Sequence, residues 1–153
     1  MIKDIIDFLE DNGLTIAFAE SMTGGYAAYS LIQNPGASKV LKASFITYSN
    51  ESKTELLDID PADIKKYSIV SEEIAIKMAK AVSLKCNADI GVGITGNAGP
   101  TLQSGTEDYV ACIGIYYNEE EYKYRFSLFG LKRKEAIEKT VIYVYEKLTE
   151  ILL

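Results

Sequence analysis

A short segment near the N-terminus brings together side chains that could carry out chemistry. The stretch AFAESMTGGYAAY, residues 17–29, runs from apolar residues into an acid, two hydroxyls and a pair of glycines, namely Glu20, Ser21, Thr23, Gly24 and Gly25. One interpretation is an ordinary strand-to-helix turn, in which a hydroxyl caps the helix and the glycines let the backbone bend. The other is that Ser21 is a nucleophile beside backbone N–H groups that can hold an anion or an oxyanion.

A second glycine-rich loop follows a later apolar stretch. Its sequence, TGNAGP, comprises Thr95, Gly96, Asn97, Ala98, Gly99 and Pro100. By itself this loop fits a tight turn as well as it fits a ligand-binding loop. Ligands of open α/β sheets bind outside the carboxyl ends of the strands, so we expect the two loops to face one crevice. Neither loop carries the G-x-G-x-x-G or G-x-x-x-x-G-K-[ST] nucleotide fingerprint.

The elements that must position these loops alternate between helix and strand. Apolar spacing and capping residues predict a first helix that ends at 12–13 and further helices over 24–33, 50–57, 72–85 and 132–152. Apolar and tyrosine-rich runs predict strands over 14–20, 40–49, 88–95, 109–117 and 122–129, the last two as a hairpin turning at 118–121, with a loop over 58–63. The pattern therefore predicts an α/β fold, a single domain over residues 1–153 with a mixed β-sheet flanked by helices.

The composition excludes several classes of function. Because the 153 residues include no histidine, Ser–His–Asp and Cys–His catalysis and histidine zinc sites are excluded. The net charge of −6 argues against nucleic acid or an anionic membrane as the partner, although backbone dipoles can still bind a small anion. Cys86 and Cys112 have neither metal-ligand nor disulfide spacing, which is typical of a reducing cytoplasm.

Two further features of the sequence argue against export and against insertion into a membrane. Acids interrupt the apolar residues of the first 13 positions, which argues against an export signal. The longest uncharged stretch, 21–38, is rich in Ser, Gly and Asn and does not have the character of a membrane span. We therefore expect a cytoplasmic protein that does not associate with membranes.

Four segments together resemble the C-terminal domain of the CinA proteins, a family that includes the nicotinamide-nucleotide amidohydrolases. They are AESMTGG, NPGASKVLKASFITYSNESKTELL, SIVSEEIAIKMAKAV and ADIGVGITGNAGP, and they occur in the order and spacing of the family. The motifs S-x-T-G-G, Y-S-N-x-x-K and T-G-x-A-G-P are specific as a set, although each alone is weak. The resemblance is close over residues 1–100 and looser beyond them.

This resemblance implies an activity and a set of residues. The activity is hydrolysis of the carboxamide of nicotinamide mononucleotide to nicotinate mononucleotide and ammonia, with a serine nucleophile, no metal and no cofactor. Ser21 would be the nucleophile, Lys53 the base, and Tyr48 and Thr95 supporting polar groups. The implied substrate-binding residues are Glu20, Thr23, Gly24, Gly25, Gly96, Asn97, Ala98, Gly99 and Arg133, the last matching the family's C-terminal arginine. The expected partner is a small-molecule nucleotide, and the expected assembly is a homo-oligomer, with a dimer favoured.

Serine–lysine chemistry suits a chain without histidine. A lysine amine accepts the serine proton only when it is neutral, and an ordinary lysine has a pKa of about 10.4. Bringing that pKa near neutrality requires about three units, or roughly 4 kcal/mol of desolvation and like-charge repulsion. Lys53 is therefore expected to be substantially buried.

We expect specific roles for the groups that surround Ser21 and Lys53. The first N–H groups of the helix after Gly25 are expected to form the oxyanion hole. Glu20 is expected to orient Lys53 or the substrate amide, or else to pair with a surface cation. Thr95 is expected to hydrogen-bond Lys53 or the ligand, or to satisfy its own turn, and the segment 96–100 is expected to take the nucleotide phosphate.

The sequence departs from the family pattern after Pro100. The segment 101–108 has fewer glycines than the family loop, and Tyr109 and Val110 stand where Gly-Thr is usual. The second arginine of the last helix is also missing. Fewer glycines leave fewer N–H groups to converge on a phosphate, and a tyrosine ring takes the place of a glycine near the pocket, so we expect weak nucleotide binding and a high KM.

Two further questions stay open in the sequence. The altered loop favours a second class of function, a nucleotide-binding or regulatory module that kept the pocket and lost efficient turnover. The aromatic side chains of the hairpin fit either the core or a subunit interface; they are Tyr116, Tyr117, Tyr122, Tyr124 and Phe126.

Overall fold

The computed structural model describes all residues from Met1 to Leu153 and contains six α-helices and five β-strands. The helices are α1 (Ile2–Asp11), α2 (Tyr26–Ile32), α3 (Asn50–Leu57), α4 (Pro61–Tyr67), α5 (Glu72–Cys86) and α6 (Arg133–Leu152). The strands are β1 (Ile16–Glu20), β2 (Leu41–Ile46), β3 (Ile90–Gly96), β4 (Val110–Tyr117) and β5 (Glu120–Ser127), and a short 3-10 helix, Ala37–Lys39, precedes β2. None of the helices combines the length and apolar character needed to cross a bilayer.

All five strands belong to one mixed sheet, in the order β2-β1-β3-β4-β5. Strands β2, β1 and β3 are parallel, whereas β4 and β5 are antiparallel to their neighbours. Glu20, the last residue of β1, pairs with Ile46 of β2 and Ile94 of β3, so the three parallel strands end at the same edge of the sheet. Because β2 and β3 lie on opposite sides of β1, this edge is a topological switch point, where α/β proteins bind ligands.

Helices cover both faces of the sheet. Phe18 points to the face covered by α1, α2 and α6, whereas its neighbours Ala17 and Ala19 point to the face covered by α5, as the alternation of a strand requires. Helix α5 packs so closely on β3 that a side chain at Gly91 or Gly93 would overlap its backbone. The predicted α/β domain with a mixed sheet flanked by helices is thus confirmed.

The structure corrects several element boundaries. The predicted loop over 58–63 contains the start of α4, where the Asp60 carboxylate accepts from the Ala62 N–H and Pro61 takes the first helical position. Pro61 belongs there because it needs no N–H partner at the start of a helix. The predicted strand 40–49 is shorter, since β2 ends at Ile46 and leaves the next three residues free to form a turn beside the site.

The hairpin is tighter than predicted, and four of its five aromatic residues are half-buried and pack against the core. Asn118 and Glu119 both have positive φ, as a two-residue hairpin turn requires, so β5 begins at Glu120. The rings of Tyr124 and Phe126 pack against Tyr143 of α6. These contacts favour the core interpretation for this side of the hairpin.

Candidate active site

Ser21 and Lys53 meet at the carboxyl end of the parallel strands. Ser21 directly follows β1, and its N–H donates to the Ile94 carbonyl of β3 at 3.0 Å, which fixes the turn to the sheet. Lys53 projects from α3, whose first turn is capped by Ser49 accepting from the Ser52 N–H. The Lys53 Nζ lies 3.0 Å from Ser21 Oγ, so the two side chains are in hydrogen-bond contact across the ends of two adjacent strands.

The environment of Lys53 favours its neutral form. The side chain is completely buried, and the ammonium donates to the Thr47 carbonyl at 2.7 Å, while no carboxylate lies within ion-pair distance. Burial lowers the pKa of Lys53 to about 8, against a smaller opposing attraction to Glu51. At pH 7 about a tenth of Lys53 is therefore neutral, and this fraction can accept a proton from Ser21.

Glu20 caps a helix instead of contacting Lys53. Its buried carboxylate accepts from the hydroxyls of Thr23 (2.7 Å) and Ser44 (3.0 Å) and from the N–H groups of Gly25 (3.2 Å), Ala27 (2.9 Å) and Ala28 (3.1 Å). A carboxylate is stabilised there because the N-terminus of α2 presents free N–H groups and the positive end of the helix dipole. The expectations that Glu20 orients Lys53 or the substrate, or pairs with a surface cation, are wrong.

The same contacts correct the predicted oxyanion hole. Glu20 occupies N–H groups at the start of α2, so these cannot also bind an oxyanion, and the Gly24 N–H donates to the Ser21 carbonyl. The N–H groups of Met22 and Thr23 have no acceptor in the chain. In α/β-hydrolases the N–H of the residue after the nucleophilic serine donates to the oxyanion, and Met22 is the residue that follows Ser21 in this chain.

Tyr48 and Arg133 lie together at the rim of the site. Tyr48 is 58% exposed, and its hydroxyl accepts a 2.7 Å hydrogen bond from Arg133 at the start of α6. The other terminal nitrogen of Arg133 donates to the Gly99 carbonyl at 2.7 Å. The guanidinium thus connects α6 to the loop before α3 and to the loop after β3. It retains further N–H donors for a ligand.

Thr95 and Asn97 stabilise the protein around the site rather than the reacting groups. The Thr95 hydroxyl donates to the Ile69 carbonyl at 2.9 Å and makes no hydrogen bond to Lys53. The expected Thr95–Lys53 contact is therefore wrong, because the Thr95 side chain lies on the face of the sheet that α5 covers, where the Ile69 carbonyl needs a donor. The Asn97 side chain accepts from the Gln103 N–H at 3.0 Å and donates to Thr106 Oγ1 at 2.8 Å and to the Asp108 carbonyl at 3.0 Å. Asn97 therefore holds the loop after β3 in place.

These groups surround a pocket of about 230 Å³. Six of the predicted site residues line it, namely Ser21, Tyr48, Gly96, Asn97, Ala98 and Arg133. Lys53 lies behind Ser21, and the other predicted residues, Glu20, Thr23, Gly24, Gly25, Gly99 and Thr95, are absent from the lining. No three side chains of the kinds that bind metals come together anywhere in the chain.

The remaining lining residues were missed in the sequence. They are Met22, Thr101, Leu102 and Gln103. Met22 could have been found from its place between the two hydroxyls of the first motif, but the other three belong to the segment that departs from the family and carried no signal. Tyr109 is not part of the lining: its ring lies against Gly99 and its hydroxyl donates to the Pro100 carbonyl at 2.7 Å. The ring therefore lies near the pocket, as expected, but beside the loop after β3 and outside the lining.

Comparison with known proteins agrees with this architecture. The sequence model of the CinA C-terminal domain family matches residues 1–152 of this chain. The chain belongs to the CinA C-terminal domain family. A crystal structure of a competence or damage-inducible protein from Enterobacter asburiae superposes on this CinA domain with a TM-score of 0.94 and 27% identity, covering 99% of this chain and 96% of that one.

Curated relatives of this CinA domain are longer proteins. A CinA-like protein of Kosmotoga olearia is 38% identical over 133 residues, which cover 85% of this chain and 32% of the relative. A CinA-like protein of Petrotoga mobilis is 35% identical over 149 residues, which cover 97% of this chain and 37% of the relative. The chain thus spans about a third of the length of these relatives.

Proposed function

We propose that this CinA domain is a metal-independent serine amidohydrolase that converts nicotinamide mononucleotide and water into nicotinate mononucleotide and ammonia. The contact between Ser21 and a buried Lys53 without an acidic partner carries this proposal. Such a pair activates a serine without histidine, because a lysine with a lowered pKa can act as the base. The resemblance of the surrounding motifs to the nicotinamide-nucleotide amidohydrolases supplies the identity of the substrate.

In the first half of the reaction Ser21 attacks the carboxamide carbon. Neutral Lys53 takes the proton of the Ser21 hydroxyl as the new C–O bond forms, while the Met22 N–H stabilises the negative charge that develops on the carboxamide oxygen. When the C–N bond breaks, Lys53 returns the proton to the departing nitrogen, which leaves as ammonia. The products of this half are an ester on Ser21 and a Lys53 that is neutral again.

The second half uses the same groups with water. Neutral Lys53 takes a proton from a water molecule that attacks the ester carbon, and the oxyanion again forms beside the Met22 N–H. When the ester bond breaks, Lys53 returns the proton to Ser21 Oγ, and the nucleotide leaves as its carboxylic acid, which ionises in solution. The hydrogen bond from Lys53 to the Thr47 carbonyl holds the amine beside Ser21 in both halves.

The size of the pocket indicates how the nucleotide would lie. At about 230 Å³ it is smaller than the roughly 300–1,000 Å³ of typical ligand sites, so it suits the pyridine ring and carboxamide rather than the entire nucleotide. The phosphate would then lie at the rim, where Arg133 is the charged side chain of the lining. Arg133 suits this role because its planar guanidinium binds phosphate oxygens in pairs.

Ammonia release from nicotinamide mononucleotide tests this proposal. Purified protein is expected to release one ammonia for each nicotinate mononucleotide formed, with no loss of rate after exhaustive chelation of metals. Ser21→Ala should remove nearly all turnover while the fold and nucleotide binding persist, because the hydroxyl acts only along the reaction path. Ser104→Ala, a change of the same atoms at an exposed loop position, should retain the native rate. Full turnover in Ser21→Ala would overturn the serine mechanism.

A second candidate is a nucleotide-binding or regulatory module without efficient turnover. The segment 101–108, which departs from the family pattern and supplies three pocket residues, favours it. This candidate predicts nucleotide binding without ammonia release in the native protein. The same assay, combined with a binding measurement, separates the two functions.

A further inference from the structure

Gln103 is held at the wall of the pocket by hydrogen bonds of its backbone and its side chain. Its side-chain Nε2 donates to the Gly96 carbonyl at 2.7 Å, and its backbone N–H donates to Asn97 Oδ1 at 3.0 Å. Its carbonyl accepts from the Thr106 hydroxyl. Both the backbone and the side chain of Gln103 are therefore anchored to the segment that ends β3.

The anchoring fixes which end of the Gln103 amide is free. Because Nε2 donates to the Gly96 carbonyl, Oε1 is the side-chain atom that remains without a partner. No donor in the chain lies within hydrogen-bond distance of Oε1. Gln103 lines the same pocket as Ser21, and Gly96, to which its amide is bound, contacts the Met22 side chain. A residue whose amide oxygen has no partner in the chain thus lines the pocket that contains the nucleophile.

The other polar groups of the pocket favour anions. The Met22 N–H, which follows Ser21, is a donor without an acceptor in the chain, and Arg133 at the rim adds the only charge of the lining, which is positive. The hydroxyls of Ser21 and Tyr48 can turn to donate to a carboxylate. A pocket with these groups alone would bind the carboxylate product at least as well as the neutral carboxamide.

We propose that Gln103 is the residue that selects a carboxamide over a carboxylate, an inference that rests on the amidohydrolase function proposed above. The NH₂ of a carboxamide donates to Gln103 Oε1, whereas a carboxylate has no proton to donate and brings its negative charge against the same oxygen. Rotation of the amide does not relieve this repulsion without breaking the bond to Gly96. Gln103 therefore favours binding of the substrate and release of the acid product.

Binding measurements on Ser21→Ala protein test this selectivity without turnover. Calorimetry gives the dissociation constants of nicotinamide mononucleotide and nicotinate mononucleotide, with and without the further change Gln103→Met, which keeps the length of the side chain and removes its acceptor. The ratio of the acid constant to the amide constant should fall by about tenfold, the upper end of the effect of one lost neutral hydrogen bond. Gln33→Met, the same change at the exposed position directly after α2, should leave the ratio unchanged.

A second variant separates selection from support of the loop. Thr106→Val removes two hydrogen bonds of the loop but keeps Gln103 Oε1, so loosening of the loop should weaken both ligands equally and leave the ratio as it is. An unchanged ratio in Gln103→Met, or an equal fall of the ratio in Thr106→Val, would overturn the role of Gln103.

Turnover of the native protein distinguishes the two proposals. If ammonia is released and Gln103→Met does not alter the ratio, the inference on Gln103 fails alone. If no ammonia is released and the ratio still falls in Gln103→Met, the amidohydrolase function fails and the selectivity stands. If neither nucleotide binds to the Ser21→Ala protein, both are overturned.

Discussion

Arg133 donates a 2.7 Å hydrogen bond to the hydroxyl of Tyr48, and this contact connects two parts of the chain that are 85 residues apart. Tyr48 precedes the helix that carries Lys53, and Arg133 begins the last helix of the domain. A second hydrogen bond of Arg133 extends the connection to Gly99 in the loop after β3. One exposed side chain therefore joins the three segments that form the rim of the pocket.

The first prediction concerns the affinity that Arg133 supplies. Arg133→Met should raise the KM for nicotinamide mononucleotide by about 10- to 100-fold, the effect of losing one charge-assisted hydrogen bond of about 1.5–3 kcal/mol. The kcat should change much less, because a phosphate far from the reacting carbon is bound equally in the ground and transition states. Steady-state kinetics measure both constants.

A neighbouring lysine provides the control for Arg133. Lys134→Met removes one positive charge at the adjacent position, and Lys134 does not line the pocket. It should alter KM by much less than Arg133→Met does. Equal effects of the two variants would mean that general electrostatic attraction, not a contact of Arg133, holds the nucleotide.

The second prediction concerns the pH dependence of catalysis. Neutral Lys53 is the active form and its pKa is lowered to about 8, so kcat/KM should rise with pH, close to tenfold per unit below about pH 7, and level off above pH 8. Lys53→Met should have no measurable turnover at any pH. A rate that falls as the pH rises from 6 to 9 would contradict the role of Lys53 as the base.

The third prediction concerns the free energy of unfolding. A lysine whose pKa falls from 10.5 in the unfolded chain to about 8 in the folded protein binds fewer protons when folded, so the contribution of Lys53 to native stability should rise between pH 8 and pH 10.5. The full rise amounts to about 3 kcal/mol. The Lys53→Met variant lacks this contribution. Urea unfolding should therefore show that the free energy of unfolding of the variant, minus that of the native protein, falls as the pH rises from 8 to 10.5.

An exposed lysine gives the matched control for this measurement. Lys123 lies exposed on β5, and its side chain makes no hydrogen bond or ion pair. Lys123→Met should therefore differ from the native protein by a nearly constant free energy across the same pH range. A constant difference for Lys53→Met as well would show that burial does not lower the pKa of Lys53.

Much of the fold follows from local patterns in the sequence. Strand β1 is apolar at every position before Glu20, and Ser71 caps α5 as predicted, accepting from the Ile74 N–H. Helix α4 was missed because it is only seven residues long and none of its residues is fully buried. Its apolar contacts with the core come from Ile64 and Tyr67 alone, and two apolar residues are too few to establish a helical period in the sequence.

The site was harder to predict where a side chain bonds to distant backbone. The burial of Lys53 was expected from the chemistry that the resemblance implies, whereas nothing in the sequence indicated that its amine would bond to the Thr47 carbonyl. Gln103 lies in a segment whose conformation depends on Asn97 and Thr106, so its place in the pocket is set by tertiary contacts. Such contacts have no local signature.

Glu20 interacts with the start of a helix from outside that helix. Free N–H groups stabilise an acid at a helix N-terminus, but Glu20 ends β1, six positions before the first residue of α2, so the usual sequence signal of an acid in the first helical turn was absent. The proximity of Glu20 to Ser21 in the sequence suggested catalysis instead. In the structure, the carboxylate of Glu20 stabilises the turn that carries Ser21.

The fourth prediction follows from this cap. Glu20→Gln replaces one acceptor oxygen by an NH₂ group that faces N–H donors, so at least one N–H of α2 loses its partner and the charge no longer complements the helix dipole. Unfolding in urea should show a loss of about 2 kcal/mol or more. Because the same carboxylate holds the turn around Ser21, kcat at a temperature where the variant is fully folded should fall more than KM rises.

The matched control for Glu20 is Glu55→Gln, the same change at an exposed position of α3, which should alter neither the free energy of unfolding nor kcat. Ser44 is one of the five donors to Glu20 and lies outside the turn. Ser44→Ala removes that donor, so its loss of stability should fall between those of Glu55→Gln and Glu20→Gln. If Glu20→Gln were as stable as the native protein but inactive, the carboxylate would act directly in the reaction, and its assignment as a helix cap would be wrong. If it lost stability but kept the native kcat when folded, Glu20 would stabilise α2 without positioning Ser21.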